Sequence, residues 1–150
     1  MRPLPDLTLY FDGHCPFCAR EMRRLKDWNG AGRLAFIDIA HPDFDPLPLG
    51  VDLPALNREL HSRTRDGRLL VGIDSMLAAY TLVGRGRLVW PLRRNMLRPS
   101  LARLYRWFAQ HRYQISERLG YRLPVQCNDD ACSIGNPFMK QPFSSESCMD

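Results

Sequence analysis

Lysine is almost absent from this chain. Lys26 and Lys140 are the only two, so arginine carries nearly all the basic charge behind a net +5. Moderate basicity favours solubility and attracts anions without naming one. No apolar run approaches the roughly 18 residues a membrane span needs. The longest, Met76 to Val83, has the length of an amphipathic helix. Residues 1–11 have no positive stretch followed by a sustained apolar core. The expectation is therefore no signal peptide and a cytoplasmic location, where thiols stay reduced. There is no internal repeat and no long low-complexity tract. Gly84-Arg85-Gly86 lacks the further glycines and the Lys-Ser/Thr of a phosphate loop. His41, His61 and His111 are scattered, and Asp43, Asp45 and Asp52 share no catalytic spacing. The five cysteines are odd in number, which argues against a fully paired disulfide scaffold. With 150 residues, 45% hydrophobic and 25% charged, the chain suits one folded domain with a real core.

What is present begins with Leu7-Thr8-Leu9-Tyr10-Phe11, rich in β-formers and ended by Asp12-Gly13. It reads as a buried strand. Cys15 to Trp28 follows as a helix, with Cys18, Met22 and Leu25 on one side and Arg20, Arg23, Arg24 and Asp27 on the other. Pro16 sits where the first turn tolerates a missing N–H. Asn29-Gly30-Ala31-Gly32 ends the helix. Arg33 to Ile39 is a second strand, parallel to the first because a helix crosses between them. His41 to Pro54 holds four of twelve prolines and is a loop. Ala55 to Leu60 forms a short helix behind Asp52. Asp66-Gly67 joins His61–Arg65 to Arg68–Ile73 as a hairpin. Asp74 or Ser75 N-caps a helix running to Val83. Leu88 to Pro91 connects it to another helix starting near Pro99, with Leu101, Leu104, Tyr105 and Phe108 on one face.

The tally is βαβ, a hairpin and a helix, with Cys-x-x-Cys after the first strand. The expected fold is α/β, a thioredoxin-like mixed sheet with additional C-terminal helices. Residues 1–120 form that domain, and residues 121–150 form a cysteine-containing, partly irregular tail.

Asp12-Gly13-His14-Cys15-Pro16-Phe17-Cys18 resembles the D-G-x-C-x-x-C signature of the DCC family of thiol-disulfide oxidoreductases. The resemblance continues in Asp66-Gly67-Arg68, in Val71-Gly72-Ile73-Asp74, and in Tyr105-Arg106-Trp107-Phe108-Ala109 followed by Arg112-Tyr113. It covers roughly residues 7 to 120. Phe11 stands where the family often has Tyr. Membership implies a thioredoxin-like fold and redox activity.

The chemistry follows from the placement. A helix N-terminus and a Cys-x-x-Cys setting lower a thiol from about 8.5 to roughly 3.5–7.5. Cys15 sits where the unpaired N–H groups of the first turn point. Cys18, one turn on, lies on the same face. Cys15 is the expected nucleophile and Cys18 the resolving thiol. Pro16 and Phe17 set the rigidity between them. Cys-Pro-Phe-Cys also resembles the glutaredoxin type of site, which makes glutathione a candidate reductant and otherwise implies no cofactor. His14 is a thiolate stabiliser or a solvated turn residue. Asp12 is a cap, or else a buried carboxylate that moves protons during exchange. Thioredoxins and glutaredoxins carry a cis-proline before the third strand; here Asn57-Arg58-Glu59-Leu60 precedes His61, so substrate docking is expected to differ.

Two other readings use the same residues. Cys15, Cys18, Cys127 and Cys132 have the C-x2-C and C-x4-C spacings of a zinc site, which would make the chain a structural or interaction module. Cys127 and Cys132 are alternatively a second disulfide, a relay to the first pair, or two unrelated tail thiols, and Cys148 is incidental. Residues 93–122 carry eight arginines against one acid, Glu117. With Trp107, Phe108 and Tyr113 they suit an anionic surface. The expectation is instead solvated arginines on a helix whose apolar side packs on the domain, with no nucleic-acid partner. The expected partner is a disulfide or thiol substrate protein.

Overall fold

Every second residue of the first strand points the same way, and that alternation sorts the helices onto two faces. β1 (Leu7–Phe11) buries Leu7, Leu9 and Phe11 in one cluster with Met22, Leu25, Ala79 and Tyr80. Tyr10 faces the other way, into a smaller cluster with Ile39 and Leu56. The first cluster draws on α1 (Pro16–Trp28) and α3 (Ile73–Leu82), the second on α2 (Leu53–Arg58). Helices therefore cover both faces of the sheet. The computed structural model describes residues 4–121, 125–128 and 131–134.

The main sheet has the order β2-β1-β3-β4. β2 (Leu34–Asp38) lies parallel to β1, with Leu7 beside Leu34 and Phe11 beside Asp38. α1 makes the crossover that parallel pairing requires. β3 (His61–Thr64) runs antiparallel to β1 with Tyr10 opposite His61, and β4 (Leu69–Val71) returns beside it. Gly67, at φ 88°, supplies the left-handed residue of that hairpin. This is the expected mixed four-stranded sheet, a thioredoxin-like architecture.

α2 starts at Leu53, two residues earlier than expected, because Asp52 accepts from the Ala55 N–H at 2.8 Å and caps it. Short 3-10 turns at Leu47–Leu49 and Trp90–Arg93 occupy the expected loop and connector. α3 corrects the expected cap. Its N-cap is Gly72, whereas Asp74 pairs with Arg98. Ser75 is buried; its Oγ accepts from Ser62 Oγ at 2.9 Å and donates to the Leu70 carbonyl at 2.8 Å.

Gly72 has φ 60° and ψ −121°, a region closed to residues with a Cβ. A Cβ there would lie 2.5 Å from Glu59 Oε2 and 3.4 Å from the Tyr105 ring. Gly72→Ala is expected to cost about 1–3 kcal/mol in backbone strain alone. Thermal unfolding would show a drop of roughly 2–4 °C per kcal/mol for a chain of this size. An unchanged midpoint would refute the strain argument.

α4 (Arg98–Arg118) is the long C-terminal helix and packs on α1 and α2. Its buried positions are Ala109, Arg112 and Ser116, with Tyr105 and Phe108 partly covered on the same side. Leu104, expected on that face, is instead 59% exposed. β5 (Val125–Asn128) and β6 (Ala131–Ile134) form a separate antiparallel hairpin whose register sets Cys127 opposite Cys132. The remaining tail residues, Cys148 among them, lie outside the described residues. Among the described residues no helix is long and apolar enough to cross a membrane.

Candidate active site

Cys15 is the N-cap of α1, in extended conformation at φ −82° and ψ 113°. Pro16 opens the helix, and its missing N–H costs nothing there. The sulfur does the work a Ser or Asp side chain usually does at this position: Cys15 Sγ accepts from the Cys18 N–H at 3.4 Å. Both thiols are free.

The two cysteines are pulled apart in acidity. Cys15 lies at about 7, below its ordinary value near 9.0. The hydrogen bond from the Cys18 side chain lowers it most; burial opposes this; the Cys18 backbone N–H and the Arg112 charge lower it further, and Asp12 opposes. Cys18 moves the other way. Its thiol is held well above the ordinary value because it gives its hydrogen bond to Cys15, is desolvated by the protein around it, and faces the Cys15 charge. One proton shared by a close thiol pair accounts for the split.

Asp12 ends β1 and is 5% exposed. Oδ1 accepts from the His14 N–H at 2.9 Å, which fixes the turn into α1. Oδ2 accepts from Arg112 Nη2 at 3.0 Å and from the Tyr113 hydroxyl. Arg112 Nη1 is 3.9 Å from Cys18 Sγ. A single buried guanidinium thus links the carboxylate to the resolving position of the Cys-x-x-Cys. The turn is pinned from the second strand as well: Asp38 Oδ1 accepts from the N–H groups of Gly13 (2.8 Å) and Ala40 (2.9 Å).

Behind Cys18 lies a cavity of about 70 Å³, bounded in part by Asp12, Glu59, Tyr105, Phe108 and Arg112. It has room for several water molecules. Phe17, between the cysteines, stacks edge-on against Phe108 at 4.8 Å. Where redox relatives have the cis-proline, the Leu60 N–H donates to Tyr105 Oη at 3.1 Å, and the described residues contain no cis peptide.

The structure therefore brings Asp12, Cys15, Pro16 and Cys18 together and leaves His14 outside. The His14 side chain is 62% exposed, with Nδ1 3.9 Å from Asp12 Oδ1, as expected of a solvated turn residue. Asp12 caps the turn through the His14 N–H, as its first reading has it, and is buried as well. Sequence reasoning missed Arg112, Tyr113 and Tyr105 as parts of the site. Their signal was present in the helical face Tyr105, Phe108, Ala109, Arg112, Ser116, which reads as buried only if an arginine is allowed on it. Among the described residues no group of three His, Cys, Asp or Glu side chains is placed to hold a metal. Half of the alternative zinc set, Cys127 and Cys132, has side chains outside the described residues.

An uncharacterized chloroplastic protein of Arabidopsis thaliana is 26% identical over 114 residues, covering 75% of this chain and 53% of the relative. The chain thus spans about half the length of that protein. No solved structure gives a significant match. The family profile of the DCC1-like thiol-disulfide oxidoreductases matches residues 9–118, from the first strand to the last turn of α4, and the chain belongs to that family.

Proposed function

We propose that the protein exchanges disulfides through a Cys15–Cys18 redox pair. The observation that carries this is the placement of Cys15 Sγ at the N-cap of α1, where it accepts from the Cys18 N–H at 3.4 Å, and the opposed acidity of the two thiols agrees with it. With Cys15 near 7, about half of it is thiolate at neutral pH. The thiolate attacks a substrate disulfide, forming Cys15–S–S–R and releasing the second substrate sulfur as thiolate. Cys18 then attacks Cys15 Sγ, forming the intramolecular disulfide and expelling R–S⁻. The Cys18 proton balances one of the two released thiolates. The substrate is reduced by two electrons, and the Cys15–Cys18 dithiol is oxidised by two. A thiol donor reverses the steps; glutathione is the candidate donor. A substrate protein in a thiol-reducing compartment such as the cytoplasm is the proposed partner.

Arg112 has a defined part in this scheme. Its guanidinium stays charged, and it stabilises the Cys18 sulfur as that thiol loses its proton. Asp12, itself held by the Tyr113 hydroxyl, keeps Arg112 in place and balances its buried charge. These are positioning roles.

Exposure alone ranks the thiols the other way. Cys15 has no exposed surface, whereas Cys18 is partly exposed. Acidity is the better guide, because only thiolate attacks. The experiment is a trap with a model protein disulfide. Cys18→Ser should accumulate a mixed disulfide on Cys15, seen by mass. A mixed disulfide that accumulates on Cys18 in the Cys15→Ser protein would reverse the roles. Stoichiometric zinc on Cys15, Cys18, Cys127 and Cys132 in the reduced protein would replace the redox reading with the structural one.

A further inference from the structure

Between Asp74 and Glu117 the chain has eight arginines and no acidic residue. Arg112 is buried at the thiols; Arg85, Arg87, Arg93, Arg94, Arg98, Arg103 and Arg106 are exposed. Arg98 pairs with Asp74. The other six exposed arginines make no ion pair among the described residues.

The same stretch exposes large apolar side chains, against the expectation that its apolar positions are used up by the core. Met96 is 92% exposed, and Leu88, Trp90, Leu97, Leu104 and Trp107 are each about half exposed or more. Leu97, Leu104 and Trp107 recur at i, i+7 and i+10. They therefore form a stripe along α4 on the side away from buried Ala109, Arg112 and Ser116. Arg103 sits beside that stripe. The Arg94 guanidinium lies 4.7 Å from the Trp90 ring centroid, so cation and indole are already presented together.

We propose that this surface, the 85–97 connector with the outer stripe of α4, docks on an anionic phospholipid bilayer. Charge complementarity selects a polyanion, because a run of unpaired arginines with no acid among them repels any cationic partner. The arginine fork matches phosphate oxygens two at a time. The aliphatic groups choose among polyanions. Leu88, Met96, Leu97 and Leu104 gain nothing from the phosphates of a nucleic acid, but they enter the acyl boundary beneath lipid headgroups, where Trp90 and Trp107 also prefer to sit. The helix lies on the surface and does not cross it, since no described helix is long and apolar enough. This inference does not rest on the redox reading.

The test is sedimentation of the full chain with phosphatidylcholine vesicles, with and without phosphatidylglycerol. The expected result is binding only to the anionic vesicles. That binding should fall about tenfold or more in the Arg103→Glu/Arg106→Glu protein, and also at about 0.5 M salt. Brominated lipid should quench tryptophan fluorescence, and Leu104→Ser/Trp107→Ser should weaken binding while disulfide exchange is kept. No sedimentation with anionic vesicles at low salt would overturn the proposal. So would binding that ignores the Leu104/Trp107 change while a DNA duplex binds equally well, which would make the patch a polyanion site.

Discussion

Cys15→Ser should lose disulfide exchange to background, a fall of at least about a thousandfold. The fold should survive the change. Serine is among the best N-cap residues, and the hydroxyl can accept from the Cys18 N–H as the sulfur does. Cys15 is fully buried and the substitution is nearly isosteric, so no cavity of consequence opens. An unchanged unfolding midpoint with no activity would separate chemistry from structure. Full activity in Cys15→Ser would remove Cys15 from the mechanism.

Arg112→Met should be the most destabilising single change at the site. Arg112 and Asp12 are both nearly inaccessible and bonded at 3.0 Å. Removing the guanidinium leaves a buried carboxylate with only the Tyr113 hydroxyl and the His14 N–H. The expected cost is about 3–5 kcal/mol, read by denaturant unfolding. The acidity of Cys15 should respond as well. Arg112 is one of the groups that lower it, so the midpoint for Cys15 alkylation should rise above its value of about 7 in the parent protein.

The sign for stability follows from the same depression. A thiol lowered by folding stabilises the reduced protein fully above its ordinary value near 9.0, and that contribution fades as pH falls through about 7. Arg112→Met should flatten this dependence. Asp12→Asn with Arg112→Met removes the orphaned charge, so stability should partly return while the raised midpoint persists. A midpoint that stays near 7 in both proteins would show that Arg112 does not act on the thiols.

The parts of the fold written in local pattern were legible in the sequence. The Leu7–Phe11 strand, the Pro16 helix start, the Asp66-Gly67 hairpin and the Asp52 cap depend on neighbours a few residues away. What was not legible depends on partners far along the chain. Asp74 and Ser75 both look like N-caps, but tertiary partners claim them: Arg98 takes the carboxylate, and the Ser62 hydroxyl and Leu70 carbonyl take the serine. Arg112 is one of a long run of arginines, set apart only by its place on the helical face of Tyr105, Ala109 and Ser116, where an arginine reads first as exposed. Only the packing of α4 on α1 brings it across 100 residues to Asp12. The same packing explains why Leu104 fails as a core residue. The buried stripe is centred on Ala109 and Arg112, and Leu104 falls off its edge.

The Cys-x-x-Cys and the lowering of Cys15 were legible in the sequence, because the largest cause is the hydrogen bond from Cys18 three residues on; the opposing burial and the smaller effect of the distant Arg112 were not. The most direct measurement is a redox titration in glutathione buffers, with alkylation and peptide mass read at Cys15 and Cys18. The account predicts a reversible two-electron disulfide between these two residues, with a midpoint in the range of roughly −120 to −270 mV occupied by known exchange catalysts. If Cys15 and Cys18 never pair with each other at any poise, the account is contradicted.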